Sequence, residues 1–324
     1  MTIRTKKNNS DDLNLLSSWN GAVPGSSDSA RWTGDIIDGS FMSWNLGANT
    51  TWDVISMALF TVPLSSPLVI NDDGFTLTLN TGFTPVAAST PFTINCKLAL
   101  GADGVLNPRP NSNPLRVNNV ISGAFNLSIT EQVIMTGVNT YSGTTTVTGS
   151  GTKLLVNSPG SLHSSSAVTV QTNATIGGSG TINGTLSVSS TGTLFPGSTG
   201  TASVTLNTAD VTFASGAIYG VNLNTGPTSD LLSCTGTVTL GGATLTIMSA
   251  PVVAYGTVFT IISASTLVTG TFNGLSDNAI FSQAFRSYQI NYTSTTVTLT
   301  DITPPVGYLS SQNEMAGEMR KNLM

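Results

Sequence analysis

Cleaving a glycosidic bond takes two carboxylates, one protonated and one ionised, placed on either side of the bond. The supply in this chain is thin. Between Val133 and Thr300 the formally charged residues are Lys153, Asp210, Asp230, Asp277 and Arg286, with no glutamate. Asp210 and Asp230 are the pair that could meet on adjacent turns of a coiled chain. A lone aspartate in a Ser/Gly-rich stretch, however, usually hydrogen-bonds its own backbone, and that is the role expected of both. A Ser-His-Asp triad would have to use His163, the single histidine. Its surroundings, SLHSSS, offer hydroxyls but no Gly-x-Ser-x-Gly elbow, so a solvent-facing turn is expected instead. Asp72, Asp73 and Asp103 lie in NDDG and GADG. Neither stretch continues into the spacing of a calcium loop or of a nonapeptide calcium repeat. No catalytic residue, metal ligand or cofactor is therefore assigned, and the chain is not expected to be an enzyme.

Two other residue types invite a role. Cys96 and Cys234 are too few and too far apart for a disulfide framework or a metal site, and they read as buried thiols. Trp19, Trp32, Trp44 and Trp52 are confined to the first 52 residues. There they are expected to cap the open end of the fold or to sit in a subunit interface. A sugar-stacking platform is the competing use, but no tight cluster of Asn, Asp and Arg accompanies them.

The elements that would position these residues follow from composition and period. Charged residues are 8% of 324, and the net charge is −5, whereas soluble domains average roughly 25% charged. Polarity here comes from hydroxyls, and an acidic balance gives no electrostatic reason to bind nucleic acid or an anionic membrane. The start, MTIRTKKNNSDDLNLL, lacks the apolar run of a signal peptide. No apolar stretch approaches the ~18 residues of a membrane helix, and Val54 to Leu64 is expected as a buried strand.

Alternation dominates the rest, as in TLTLN (Thr76 to Asn80), TTVTG (Thr145 to Gly149) and TVTLT (Thr296 to Thr300). Period two means strands. Between Ala174 and Gly197 single apolar residues are separated by Gly, Ser, Thr and Asn, so each strand has apolar surface for only one inner wall. Coils stacked above and below would supply the remaining core. The expected fold is all-β, a right-handed parallel β-helix; a β-sandwich with long loops is the competitor. Residues 1–18 are expected as an N-terminal arm, 19–125 as cap and first coils, 126–300 as the repeat-bearing β-helix and 301–324 as a C-terminal tail. Both tails read as too polar to join the core, with short helices expected at Asp11 to Leu16 and Ser310 to Met324.

GVNTYSGTTTVTGSGTKLLVN, from Gly137 to Asn157, resembles the passenger-associated β-strand repeat of autotransporters, a β-helix family. GGSGTINGTLSVSSTGTLFPGSTGTASV is similar to further segments of those proteins, SDLLSCTGTVTLGGATLTI to their passenger end, and WNGAVPGSSDSARW to the opening of large environmental relatives. The resemblance implies a β-helical surface or secreted adhesin. Against the family, no export signal is expected from the stretch at Met1 and no translocator barrel is expected in the residues after Thr300.

A β-solenoid made without export suits a bacteriophage particle. The expected function is a structural or adhesive virion protein of fibre, spike or head-decoration type. It would assemble with itself, as a homotrimer or higher, and with other virion proteins, and it would contact a host-surface glycan or receptor. The alternatives are an autotransporter-like adhesin at the bacterial surface or outside the cell, and a glycan-degrading tailspike.

Overall fold

Three-residue strands such as Thr145–Val147 and Val168–Val170 turn their first and third side chains inward and the middle one outward. Repeated along the chain, this pattern builds a β-solenoid of about 9 turns. The computed structural model describes residues 1–36, 41–58, 64, 66–85, 91–108, 113–197 and 203–304. Leu127 lies beside Thr145, Thr145 beside Val168, Val168 beside Leu186 and Leu186 beside Val211, all in parallel register. A coil is thus roughly 20 residues long, at the short end of solenoid repeats.

Three sheets form the walls. The first runs from Thr2–Thr5 to Leu267–Thr269, and the second from Ser43–Trp44 to Thr244–Ser249. Among the described residues the third begins at Ser161–Leu162; before it the first sheet divides, Thr76–Pro85 pairing with Lys97–Leu100 along one half and with Gly104–Leu106 along the other, and the Lys97–Leu100 branch continues to Ile121–Ser122 as a further wall. Inside, Val168, Val170, Ala174, Ile176 and Ile182 from one coil are all buried. Each of the larger side chains contributes about 1.5–3 kcal/mol by leaving water.

The autotransporter-like segment owes its residue types to this stacking. A side chain on Gly137 would meet the Asn119 carbonyl oxygen at 2.1 Å, and one on Gly143 would meet that of Phe125 at 2.1 Å. Only glycine lets the corner lie this close to the coil below. Asn139 is buried between these glycines. Its Oδ1 accepts from the Ile121 amide at 2.9 Å, and its Nδ2 donates to the carbonyls of Gly137 and Ser161, each at 3.0 Å. Tyr141 fills the core, and its hydroxyl shares a buried chain with Thr145 (2.6 Å) and Ser166 (2.8 Å from Thr145). Outside the core, Asn71 donates to Asn45, Asn118 to Asn95 and Thr136 to Asn118, so a ladder of side chains ties successive corners.

The ends depart from expectation. The polar N-terminal arm does not stay apart: Thr2–Thr5 pairs in parallel with Asp28–Trp32, and Lys6, Leu13 and Ser18 are buried. An open sheet edge leaves unpaired backbone groups, and the arm satisfies them whatever its side chains are. Asp11 to Leu16 is not a helix. The Leu13 and Asn14 amides bond to the carbonyls of Asn45 and Leu46 on the neighbouring coil, leaving only a 3-10 turn at Leu16–Ser18. Val54 lies in the strand Thr50–Met57, whereas residues 59–63 fall outside the described residues. Parallel coiling also stops early. Thr296–Asp301 runs antiparallel to both Val258–Ala264 and Arg286–Tyr292, which in turn pairs with Ile280–Gln283. The helix expected at Ser310 to Met324, and the tail from residue 305 on, lie outside the described residues.

Asn139 supplies the test of the corner's role. Asn139→Ala leaves the Ile121 amide without its buried acceptor, which should cost about 2 kcal/mol. Urea unfolding should show a lower midpoint at an unchanged slope.

Candidate functional site

The carboxylates come first, because catalysis would need them together. Asp210 lies at the corner where the third sheet leads into the first, and its Oδ1 accepts from the Thr237 amide at 2.7 Å. Asp230 lies at the corner entering the third sheet. It is buried and accepts from the amides of Val204 (3.0 Å) and Asn222 (3.2 Å) and from the Asn222 side chain (2.9 Å). Burial pushes its pKa upward, against these hydrogen bonds. Asp210 sits beside Gly236 on the next coil, and the strand Leu231–Cys234 separates that corner from Asp230. That strand, about 13 Å long, thus lies between the two corners, and the two carboxylates share no hydrogen-bond partner among those described. The structure does not bring them together.

The remaining candidates hold turns. Asp72 accepts from the Gly74 amide and the Asn119 side chain, and Asp73 from the amides of Phe75 and Gly47. Asp103 takes the Asn126 amide and side chain, bonds that hold its pKa down. His163 Nδ1 accepts from the Ser165 amide at 3.2 Å in a local turn. Cys96 and Cys234 are buried free thiols. Burial pushes Cys96 up to about 12.

The four tryptophans form one packed block in the first coils, each at most 1% exposed. Trp32 is its centre, with ring centroids 5.7 Å from Trp19, 6.0 Å from Trp44, 6.1 Å from Trp52 and 5.4 Å from Phe92. Buried this fully, the rings offer no face to a sugar or a second subunit; they pack in the first coils against the arm. The arm is pinned to them. Trp19 Nε1 donates to the Leu13 carbonyl at 2.7 Å, and Trp44 Nε1 to that of Asn9 at 2.6 Å. Lys6, which sequence reasoning passed over, lies with Nζ 5.0 Å above the Trp44 ring. It donates to Asn9 Oδ1 at 2.7 Å and to the Lys7 carbonyl at 2.9 Å. The available sign was a lysine in the same N-terminal region as the tryptophans, but Trp44 lies 38 positions further along the chain, which hid the contact.

On the outer face of the first sheet, one column runs through Ser128, Thr146, Thr169, Ser187, Thr212, Thr239 and Thr269 in unbroken register. Its hydroxyls recur at the strand spacing of about 4.8 Å. Flanking side chains are tied between coils, Thr144 to Asn126 and Thr148 to Gln171. The column itself carries no charge. Its hydroxyls are weak donors and acceptors, and within the column Thr269 donates to Thr239 at 3.2 Å. No helix among the described residues is long and apolar enough to cross a membrane.

Lys6 yields a pH test. Burial lowers its pKa to about 8. Between pH 8 and 10.5 the unfolded chain therefore keeps a proton that the folded chain has released, and Lys6 makes stability rise with pH. Cys96 and Tyr141, both pushed up to about 12 by burial, act in the opposite sense above their unfolded values. The difference in unfolding midpoint between wild type and Lys6→Met across that window isolates Lys6, and it should grow in favour of wild type as pH rises. No protein-family model matches this chain, and no curated protein matches it.

Proposed function

We propose that this chain is a non-enzymatic structural and adhesive protein of a bacteriophage particle, of fibre, spike or head-decoration type, working as a stiff rod that meets its neighbours and a host surface through hydroxyl-rich walls. The observation that carries the reading is the division of labour among polar side chains. The aspartates discussed above hold backbone amides at corners, while the uncharged column from Ser128 to Thr269 faces outward. That arrangement supports contact rather than catalysis. Many weak hydrogen bonds along a rigid array add up when several are engaged at once. The rod would assemble as a homotrimer or higher and bind other virion proteins.

A second reading is a bacterial surface adhesin resembling autotransporter passengers. It is favoured by the segment Gly137 to Asn157, whose glycines, Asn139 and Tyr141 build one corner and the strands beside it.

The native mass of the full-length chain, from sedimentation and light scattering together, separates the two. A closed assembly of three or more chains is the expected result. A monomer of 33.3 kDa would overturn the virion reading and put the adhesin in its place.

A further inference from the structure

We propose that two copies of this chain join through the free edge of the C-terminal meander, the strand Ile280–Gln283 and the turn that follows it. The inference rests on the self-assembly part of the reading above and names its contact surface. Ile280–Gln283 is the last strand of the third sheet and pairs on one side only, with Arg286–Tyr292. Its other side has no strand partner among the described residues. Proteins ordinarily guard such an edge with lysine, proline or a bulge. Ile280, Phe281, Ser282 and Gln283 supply none of these.

The turn strengthens the case. Ala284 and Phe285 have φ of +52° and +62°, the paired left-handed conformation that Asn-Gly adopts with least strain in a tight hairpin. A phenylalanine held there is unfavourable for the isolated chain, yet Phe285 is 107% exposed. Ile280 (67%), Val252 (87%) and Tyr255 (64%) are also exposed. The Val252 loop lies beside Thr296–Asp301, where the Gly256 amide donates to the Asp301 carbonyl at 2.7 Å and Arg286 Nη2 donates to the Val253 carbonyl at 3.0 Å; the edge strand itself meets Thr244–Ser249 through Gln283, which accepts from the Ile247 amide at 3.1 Å. Ile280 on an unpaired edge and Phe285 in its turn, both exposed, mark an interaction surface.

Charge and symmetry point to a second copy as the occupant. From Ala250 to Pro304 the charged residues are Asp277, Arg286 and Asp301, and Arg286 is paired with Asp301. Two chains, each of net charge −5, can meet here without facing like charges. Antiparallel pairing of two identical edges about a two-fold axis satisfies both at once and closes the contact. An assembly that uses it therefore contains an even number of chains.

The test uses the full chain. Cys96 and Cys234 are buried, so Ser282→Cys introduces an accessible thiol at the edge. A short bismaleimide should convert this variant to a covalent dimer, while wild type and the exposed-loop control Thr225→Cys stay uncrosslinked. Ile280→Lys combined with Ala284→Asn and Phe285→Gly should weaken association at least tenfold in sedimentation velocity, with an unchanged circular dichroism spectrum. A trimer, or an assembly whose mass survives these substitutions, would overturn this contact and leave the self-assembly reading standing. A monomer at all concentrations would overturn both. A monomer whose edge amides exchange slowly until residues 305–324 are removed would make the chain's own tail the occupant, and would likewise overturn the proposal.

Discussion

Parallel stacking of one coil on the next is the constraint from which the rest of this structure follows. A strand of three residues buries two side chains and cannot hold itself together. It gains a core only because the strands before and after it lie in register, placing Val168 and Val170 between the pairs of neighbouring coils. The same stacking satisfies the backbone, so polar outward side chains are left free to vary. Hydroxyls can therefore replace charges over most of the surface without weakening the fold.

Register, in turn, is set at the corners. Coils differ in length, and the excess is absorbed in bends where glycine admits close backbone approach and asparagine or aspartate caps exposed amides. Asn139, Asp210 and Asp230 do the same work in three different bends. A carboxylate used in this way accepts fixed hydrogen bonds from amides and holds a wall in place. The scarcity of acidic residues and their structural use are thus two aspects of one economy.

The two ends solve the same problem differently. At the N-terminus an aromatic block fills the first coils, and a polar arm covers the sheet edge by main-chain pairing, with Lys6 lying over Trp44. At the C-terminus the chain reverses into an antiparallel meander whose last strand keeps one side open among the described residues. The rings are buried in the first coils, whereas the meander retains apolar side chains at its surface.

The all-β class and the stacked coils were legible in the residues themselves. Period-two alternation, glycine and asparagine at bends, and five charges between Val133 and Thr300 are local properties of the chain. Tertiary structure alone decided which residues meet. It separated Asp210 from Asp230, aligned the hydroxyls of Ser128 through Thr269, drew the polar arm onto the first coil and ended the parallel coiling in a meander. The physical reason is that coil-to-coil register depends on the lengths of many bends added together. No single segment encodes that sum, so side chains far apart in sequence become neighbours only once the coils have stacked.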